Sequence, residues 1–234
     1  LRVFKGVVVV PIRDTAGELH SLQFIGASGT KRFLKGGRVA GLYFLIGVVD
    51  KVVCIAEGYA TGASIHAATG YAVAVAFNAG NLAPVAGAIR ENQPEARLIV
   101  CADDDADVEG NPGLIHACEA AREASARVTV PAFGAERPAG ATDFNDLHRV
   151  RGLEAVREGI AHHRINRHPG LERFQRHANG ASNPAESKLR FLAHVGKLAD
   201  AHHARARNVL PAARLVVEAD DRGARGAFGP GLCV

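Results

Sequence analysis

Asp103, Asp104, Asp105 and Asp107 stand directly behind the apolar run Leu98-Ile99-Val100-Cys101-Ala102, and Glu57 stands directly behind a second one, Val52-Val53-Cys54-Ile55-Ala56. Short apolar runs of this kind are the signature of buried strands, so both groups of acids fall where a strand ends. Alternate residues of a strand point the same way, which lets Asp103 and Asp105 face one side about 7 Å apart while Asp104 faces the other. That spacing suits a shared divalent cation. Magnesium takes hard oxygen ligands in octahedral geometry and keeps several waters, so two or three carboxylates plus a substrate phosphate complete its shell. Glu57, arriving from another strand, is either a further ligand or a general acid/base whose pKa such acidic company would raise. The plainer role of a lone Asp is a helix cap or a solvated loop. A run of acids this dense repels itself and needs a cation or water to be tolerated.

The elements that must hold these acids follow from the apolar pattern. Strands at residues 52–56, 72–77, 97–101 and 127–130 alternate with helices at 61–69, 82–91 and 112–125. This order predicts an α/β fold with a mostly parallel, four-stranded sheet flanked by helices and joined by right-handed crossovers. In such a sheet the crevice lies at the carboxyl edge, where both acid groups fall. Upstream, the Val-rich run at 6–13, a turn holding Gly17 and the run at 19–25 predict a hairpin. A basic, glycine-punctuated stretch and an apolar run ending at Gly47 follow it. We therefore divide the chain into a small β-rich N-terminal subdomain (1–47), a catalytic α/β domain (48–164) and a basic Ala/Arg/His-rich tail (165–234), partly helical or disordered. In the tail, Leu189, Leu192, Val195 and Leu198, preceded by Ser182, Asn183 and Pro184, predict a single helix.

Composition excludes several classes. The chain has 234 residues, begins at Leu1 and contains no Met or Trp, which suggests a fragment of a longer protein. No stretch approaches the roughly 18 uninterrupted apolar residues of a membrane span, and no signal pattern opens the chain, so a cytoplasmic protein without membrane contact is expected. The four cysteines, Cys54, Cys101, Cys118 and Cys233, are scattered singly, with no Cys-x-x-Cys pair for zinc or redox chemistry. Gly58 and Gly62 form neither a P-loop nor a dinucleotide fingerprint, so no ATPase engine is visible. The net charge is −2 over residues 1–150 and +6 over 151–234, together the +4 of the whole chain. Lys31, Arg32, Lys35 and Arg38 form a compact basic stretch suited to template or nucleotide phosphates, or else a solvated loop.

The acid motifs resemble those of the Toprim domain, the fold shared by bacterial DnaG-like primases, topoisomerases and some nucleases. The matching residues are Ile55-Ala56-Glu57-Gly58-Tyr59 and Val100-Cys101-Ala102-Asp103-Asp104-Asp105, separated by two crossover units. Val10-Pro11-Ile12-Arg13-Asp14, Lys31-Arg32-Phe33-Leu34 and Gly41-Leu42-Tyr43 resemble the subdomain that precedes Toprim in primases. Asn78-Ala79-Gly80-Asn81-Leu82 and Thr142-Asp143-Phe144-Asn145-Asp146-Leu147 bring the likeness closest to primases of plasmids, phages and other mobile elements.

The resemblance covers about residues 5–160. It implies an Mg²⁺-dependent nucleotidyltransferase, with Mn²⁺ as the substitute ion, that makes RNA primers on single-stranded DNA from ribonucleoside triphosphates, with a replicative helicase as a further candidate partner. It also implies that Glu57 is the acid/base and that Asp103 and Asp105, with Glu57, hold the metal. Many primases carry an aspartate four positions after the motif glutamate, where this chain has Thr61. Asp143 and Asp146 are accessory candidates to supply that acid, although a helix cap is the plainer role for each. The alternatives are a Toprim nuclease or topoisomerase-like phosphodiesterase using the same acids, and a non-catalytic module that docks nucleic acid or a helicase. Tyr59 reads as a packing residue rather than a DNA nucleophile.

Overall fold

A computed structural model of the chain describes residues 6–162. The tail 165–234 and the helix expected there lie outside the described residues.

The N-terminal run folds as the expected hairpin: β1 (Val7–Arg13) pairs antiparallel with β2 (Leu19–Gly26), Val10 opposite Gln23, with an irregularity between Ile12 and Arg13. Asp14 builds the turn by accepting the backbone N–H groups of Ala16 and Glu18 at 3.0 and 2.9 Å. The basic stretch contributes a third strand, β3 (Lys31–Phe33), antiparallel to β2. Alternation places Lys31 and Phe33 on one face of β3 and Arg32 on the other.

The larger sheet has five strands in the order β4-β6-β5-β7-β8. The four expected strands are parallel to one another: β5 (Val52–Ala56), β6 (Ala72–Val75), β7 (Arg97–Cys101) and β8 (Arg127–Thr129). The fifth, β4 (Phe44–Ile46), runs antiparallel along the β6 edge, and its residues come from the apolar run that ends the N-terminal segment. A three-residue strand carries too little periodicity to announce itself, and its partner strand decides its direction.

Both faces of this sheet are covered, which is why its strands are apolar throughout rather than alternating. On one face Val53, Ile55, Ala74, Leu98 and Val100 pack against Val85 and Ile89 of α2 (Leu82–Asn92) and Leu114, Ala117 and Ala121 of α3 (Pro112–Glu123). On the other, Cys54, Ala56, Val73, Ile99 and Cys101 meet Ile65 of α1 (Tyr59–Thr69) and Phe144, Leu147, Val156 and Ile160 of α4 (Phe144–His162). Gly62 lets α1 lie close, since a Cβ there would stand 2.9 Å from Val75 Cγ2. Helix α4 is interrupted at Gly152, whose φ of 79° breaks the turn, and that break removes the 3.6-residue period by which sequence analysis finds helices. No helix among the described residues is long and apolar enough to cross a membrane.

The small sheet is joined to the large one by shared core and by one buried amide. Val10, Ile12 and Leu42 cluster with Val75 and Phe77, with Phe44 and Tyr59 packed alongside at a ring separation of 6.0 Å. The Asn81 amide NH₂ faces the carbonyl oxygens of Val39 (3.2 Å), Leu42 (3.0 Å) and Ala76 (2.8 Å), while its Oδ1 accepts from the Gly41 N–H at 2.7 Å. Replacing this donor with an acceptor sets a carboxylate against three carbonyls. Asn81→Asp should therefore lower the unfolding free energy in urea by more than the about 1–3 kcal/mol of a merely unsatisfied buried group, and by more than Asn81→Ala does. Equal midpoints for the two variants would contradict this account.

Candidate active site

Glu57 leaves β5 and Asp103 leaves β7 at the same carboxyl edge, because the two strands are adjacent and parallel with Ala56 opposite Cys101. The chain after β7 stays extended for a further step, since the Ala102 N–H donates to Thr129 O at 2.9 Å and the Asp104 N–H to Thr142 O at 2.8 Å. Alternation then turns the three aspartates as expected from the sequence. Asp104 faces inward, away from the other two, and is buried.

Each aspartate has a different environment. Asp104 Oδ2 accepts from Arg137 Nη1 at 2.7 Å and its Oδ1 from Asn111 Nδ2 at 2.7 Å; Arg137 Nη2 also donates to the Asp104 carbonyl. Asp105 Oδ2 accepts the Gly113 N–H at 3.0 Å, and the Asp105 N–H donates to Asn111 Oδ1 at 2.9 Å. Asn111, in a left-handed conformation with φ 46°, caps α3 with the same Oδ1. Helix α3 thus abuts the acidic loop so closely that a Cβ on Gly113 would stand 2.8 Å from both Asp103 O and Asp105 Oδ2. Asp103 is the exception: its Oδ1 is buried and has no hydrogen-bond partner among the described residues.

The electrostatics follow from this crowding. Burial, reinforced by the neighbouring charges of Glu57, Asp143 and Asp105 and relieved in part by Lys31, pushes the Asp103 carboxyl up to about 8. Burial and then Asp105 raise Glu57 as well, with Asp143 adding and Lys31 and His116 opposing. Lys31 reaches this edge from β3, its ammonium 3.6 Å from where a Cβ on Gly58 would lie.

Asp143 arrives from the start of α4, caps that helix by accepting the Asp146 N–H at 2.8 Å, and accepts from Thr61 Oγ1 at 2.7 Å. It is a cap and a member of the acidic edge at once. Asp146 instead turns back to accept the Thr142 N–H at 3.0 Å. Arg32 and Lys35 are exposed, and Arg38 lies 3.5 Å from His20, itself paired with Asp14 at 2.7 Å. Sequence reasoning did not single out Arg137 or His116. A lone Arg in a loop and a lone His on a helix carry no spacing signal.

The acids share one edge and act on one another, yet among the described residues no three His, Cys, Asp or Glu side chains already close around a common point as a metal cage. That is compatible with magnesium, which ordinarily takes one or two carboxylates and completes its shell with water and substrate phosphate. The orphaned Asp103 oxygen and its reluctance to ionise are what a cation at this edge would relieve.

Comparisons with known proteins bear on the same segment. Residues 52–154 match the Toprim domain family. Two curated relatives, both named DNA primase TraC of Escherichia coli, are 35% identical over 133 residues and 34% over 150 residues, covering 53% and 60% of this chain. The chain spans only 12% and 10% of their lengths. Among solved structures, the primase fragment of the bacteriophage T7 primase-helicase protein aligns with a TM-score of 0.50 at 18% identity, over 67% of this chain and 64% of that one. The RNA polymerase domain of Mycobacterium tuberculosis primase DnaG aligns with a TM-score of 0.50 at 19% identity, over 89% and 72%. At such identities the two structures speak for the fold.

A carboxyl raised in the folded state holds its proton more tightly there than in the unfolded chain. Stability therefore falls as pH rises from about 4, the ordinary value being 3.8, to about 8, and is flat above that. In chelator at pH 8.5, Asp103→Asn should melt above the wild-type chain by at least the about 2–4 °C that 1 kcal/mol produces at this size. The gain should shrink as pH is lowered towards 4. A variant that melts lower at pH 8.5 would show that the charge is not buried against its neighbours.

Proposed function

We propose that this chain, whose residues 52–154 match the Toprim domain family, has the catalytic activity of a DNA primase: Mg²⁺-dependent joining of ribonucleotides on a single-stranded DNA template, in the replication of a plasmid, phage or other mobile element. The observation that carries this reading is the buried Asp103 Oδ1, without a hydrogen-bond partner among the described residues, on an edge it shares with Glu57, Asp105 and Asp143. So dense a negative site favours a divalent cation and, through it, a triphosphate.

In this proposal Asp103 and Asp105 hold the ion, and water and substrate phosphate complete its shell. An Mg²⁺ ion held there would supply charge neutralisation to the triphosphate. Glu57, its carboxyl raised by burial and by Asp105, is suited to take the proton of the attacking 3′ hydroxyl. Lys31 stands on the same edge and meets the triphosphate charge, while the exposed Arg32 and Lys35 and the nearby Arg38 offer phosphate contacts to the template. Thr61 holds Asp143 at the edge through the 2.7 Å hydrogen bond, which gives this chain an acid where its own position 61 has none.

The test is primer extension from labelled ribonucleotides on single-stranded DNA with Mg²⁺. Asp103→Asn and Glu57→Gln should each reduce synthesis by at least about 10²-fold, the scale on which a positioned acid/base acts, while circular dichroism stays native. Full synthesis by Asp103→Asn would refute the metal assignment. If the template shortens and no primer grows, the acids serve a nuclease.

A further inference from the structure

We infer that Arg137, acting through Asp104, is a positioning residue that sets the metal-binding geometry of Asp103 and Asp105, an inference that rests on the proposed metal role of those two carboxylates. Asp104 is flanked on both sides by proposed ligands but points away from them into the protein, with only 7% of its side chain exposed. A buried carboxylate in that position serves the loop only if its charge is met, and the structure meets it completely. Arg137 Nη1 takes Oδ2 at 2.7 Å, Arg137 Nη2 takes the Asp104 main-chain carbonyl, and Asn111 Nδ2 takes Oδ1 at 2.7 Å.

The guanidinium is itself fixed at its other end. Arg137 Nε donates to Ala141 O at 2.8 Å, and the plane lies 5.1 Å from the Phe133 ring centroid. The Asp104 N–H donates in turn to Thr142 O at 2.8 Å, one residue before the acid that Thr61 holds. One planar cation therefore ties the Asp103–Asp105 loop to the segment that delivers Asp143.

The contact to the Asp104 carbonyl matters most for direction. The Asp104 carbonyl belongs to the peptide unit shared with Asp105 and the Asp104 N–H to the one shared with Asp103, so Arg137 on the first and Thr142 O on the second hold the two peptide planes that flank Asp104. A Lys at 137 would keep the charge but could not span Asp104 Oδ2, the Asp104 carbonyl and Ala141 O together, because only a planar fork presents several donors in fixed relation. This also gives the middle aspartate of the run a purpose other than ligation.

The experiment measures Mn²⁺ uptake by electron paramagnetic resonance on the whole chain, which reads the site without requiring turnover, alongside thermal unfolding and primer synthesis. Removing one partner leaves a buried charge, so the principal variant is Asp104→Asn with Arg137→Met, which discharges the pair and keeps an acceptor for Asn111. Mn²⁺ affinity should fall about 10-fold or more with cooperative unfolding retained, as for other groups that orient metal ligands. Primer synthesis should lose kcat while KM for the template stays constant. Arg137→Lys should weaken Mn²⁺ binding several-fold, and it decides the question if the double variant does not fold.

Arg90→Met is the control for a purely structural arginine. Arg90 is bonded to the carbonyls of Ala124, Pro94 and Ala96 at the opposite end of β7, and its loss should lower the melting temperature without changing Mn²⁺ affinity. Wild-type Mn²⁺ affinity in the folded double variant, or in Arg137→Lys should the double variant not fold, overturns the positioning role while Asp103→Asn still abolishes uptake. A wild-type chain that takes up no Mn²⁺, or an Asp103→Asn variant that binds it normally, overturns the metal reading itself, and the positioning role with it.

Discussion

Negative charge held at the end of a buried strand is the constraint around which the rest is arranged. Asp103, Asp104 and Asp105 follow β7 with no intervening turn, so the covered sheet carries them into a region of low dielectric where like charges repel strongly. The chain resolves this by treating each differently. Asp104 is turned inward and neutralised by Arg137, Asp105 takes a backbone N–H at the start of α3, and Asp103 is left with an oxygen that no group among the described residues satisfies. A site that withholds compensation from one member while supplying it to its neighbours is arranged for something from outside.

The remaining elements serve that edge. Parallel β5 and β7 bring Glu57 and Asp103 out at the same carboxyl edge, the interrupted α4 presents Asp143, and β3 carries Lys31 across from the small sheet. The Asn81 amide binds the loop at residues 39–42 to the carboxyl end of β6, so the small sheet and the acidic edge share one anchored border. Phe77 lies at that border in a left-handed conformation, φ 72°, with its ring edge-on to Phe33 of β3 at 6.1 Å. A bulky residue adopts such a backbone only where its surroundings impose it. Here the imposition falls where two sheets and the site converge.

The composition of the edge is what the proposed triphosphate ligand rests on. Carboxylates alone would repel phosphate and a lysine alone would not hold a metal. Here both stand at one edge, with Lys31 moderating the charges of Glu57 and Asp103. Thr61 adds a further acid to it. A hydroxyl at that position recruits the carboxylate of a residue 82 positions away, so an acidic oxygen is delivered without an acidic side chain on α1.

The sequence by itself determined the parallel strands, the covering helices α1 to α3, the N-terminal hairpin and the placing of Glu57 and the aspartate run at strand ends. These depend on periodicity and on residues a few positions apart, and a strand's alternation already says that Asp104 opposes its neighbours. Tertiary structure alone decided the direction of β4, the two-part helix α4, the approach of Lys31, the recruitment of Asp143 through Thr61 and the clamp of Arg137 on Asp104. The last two join groups far apart in the chain, 82 residues for Thr61 and Asp143 and 33 for Arg137 and Asp104, through one or two hydrogen bonds. A lone side chain leaves no periodic trace of its partner, and only the packing of the sheet between its two helix layers brings the two together.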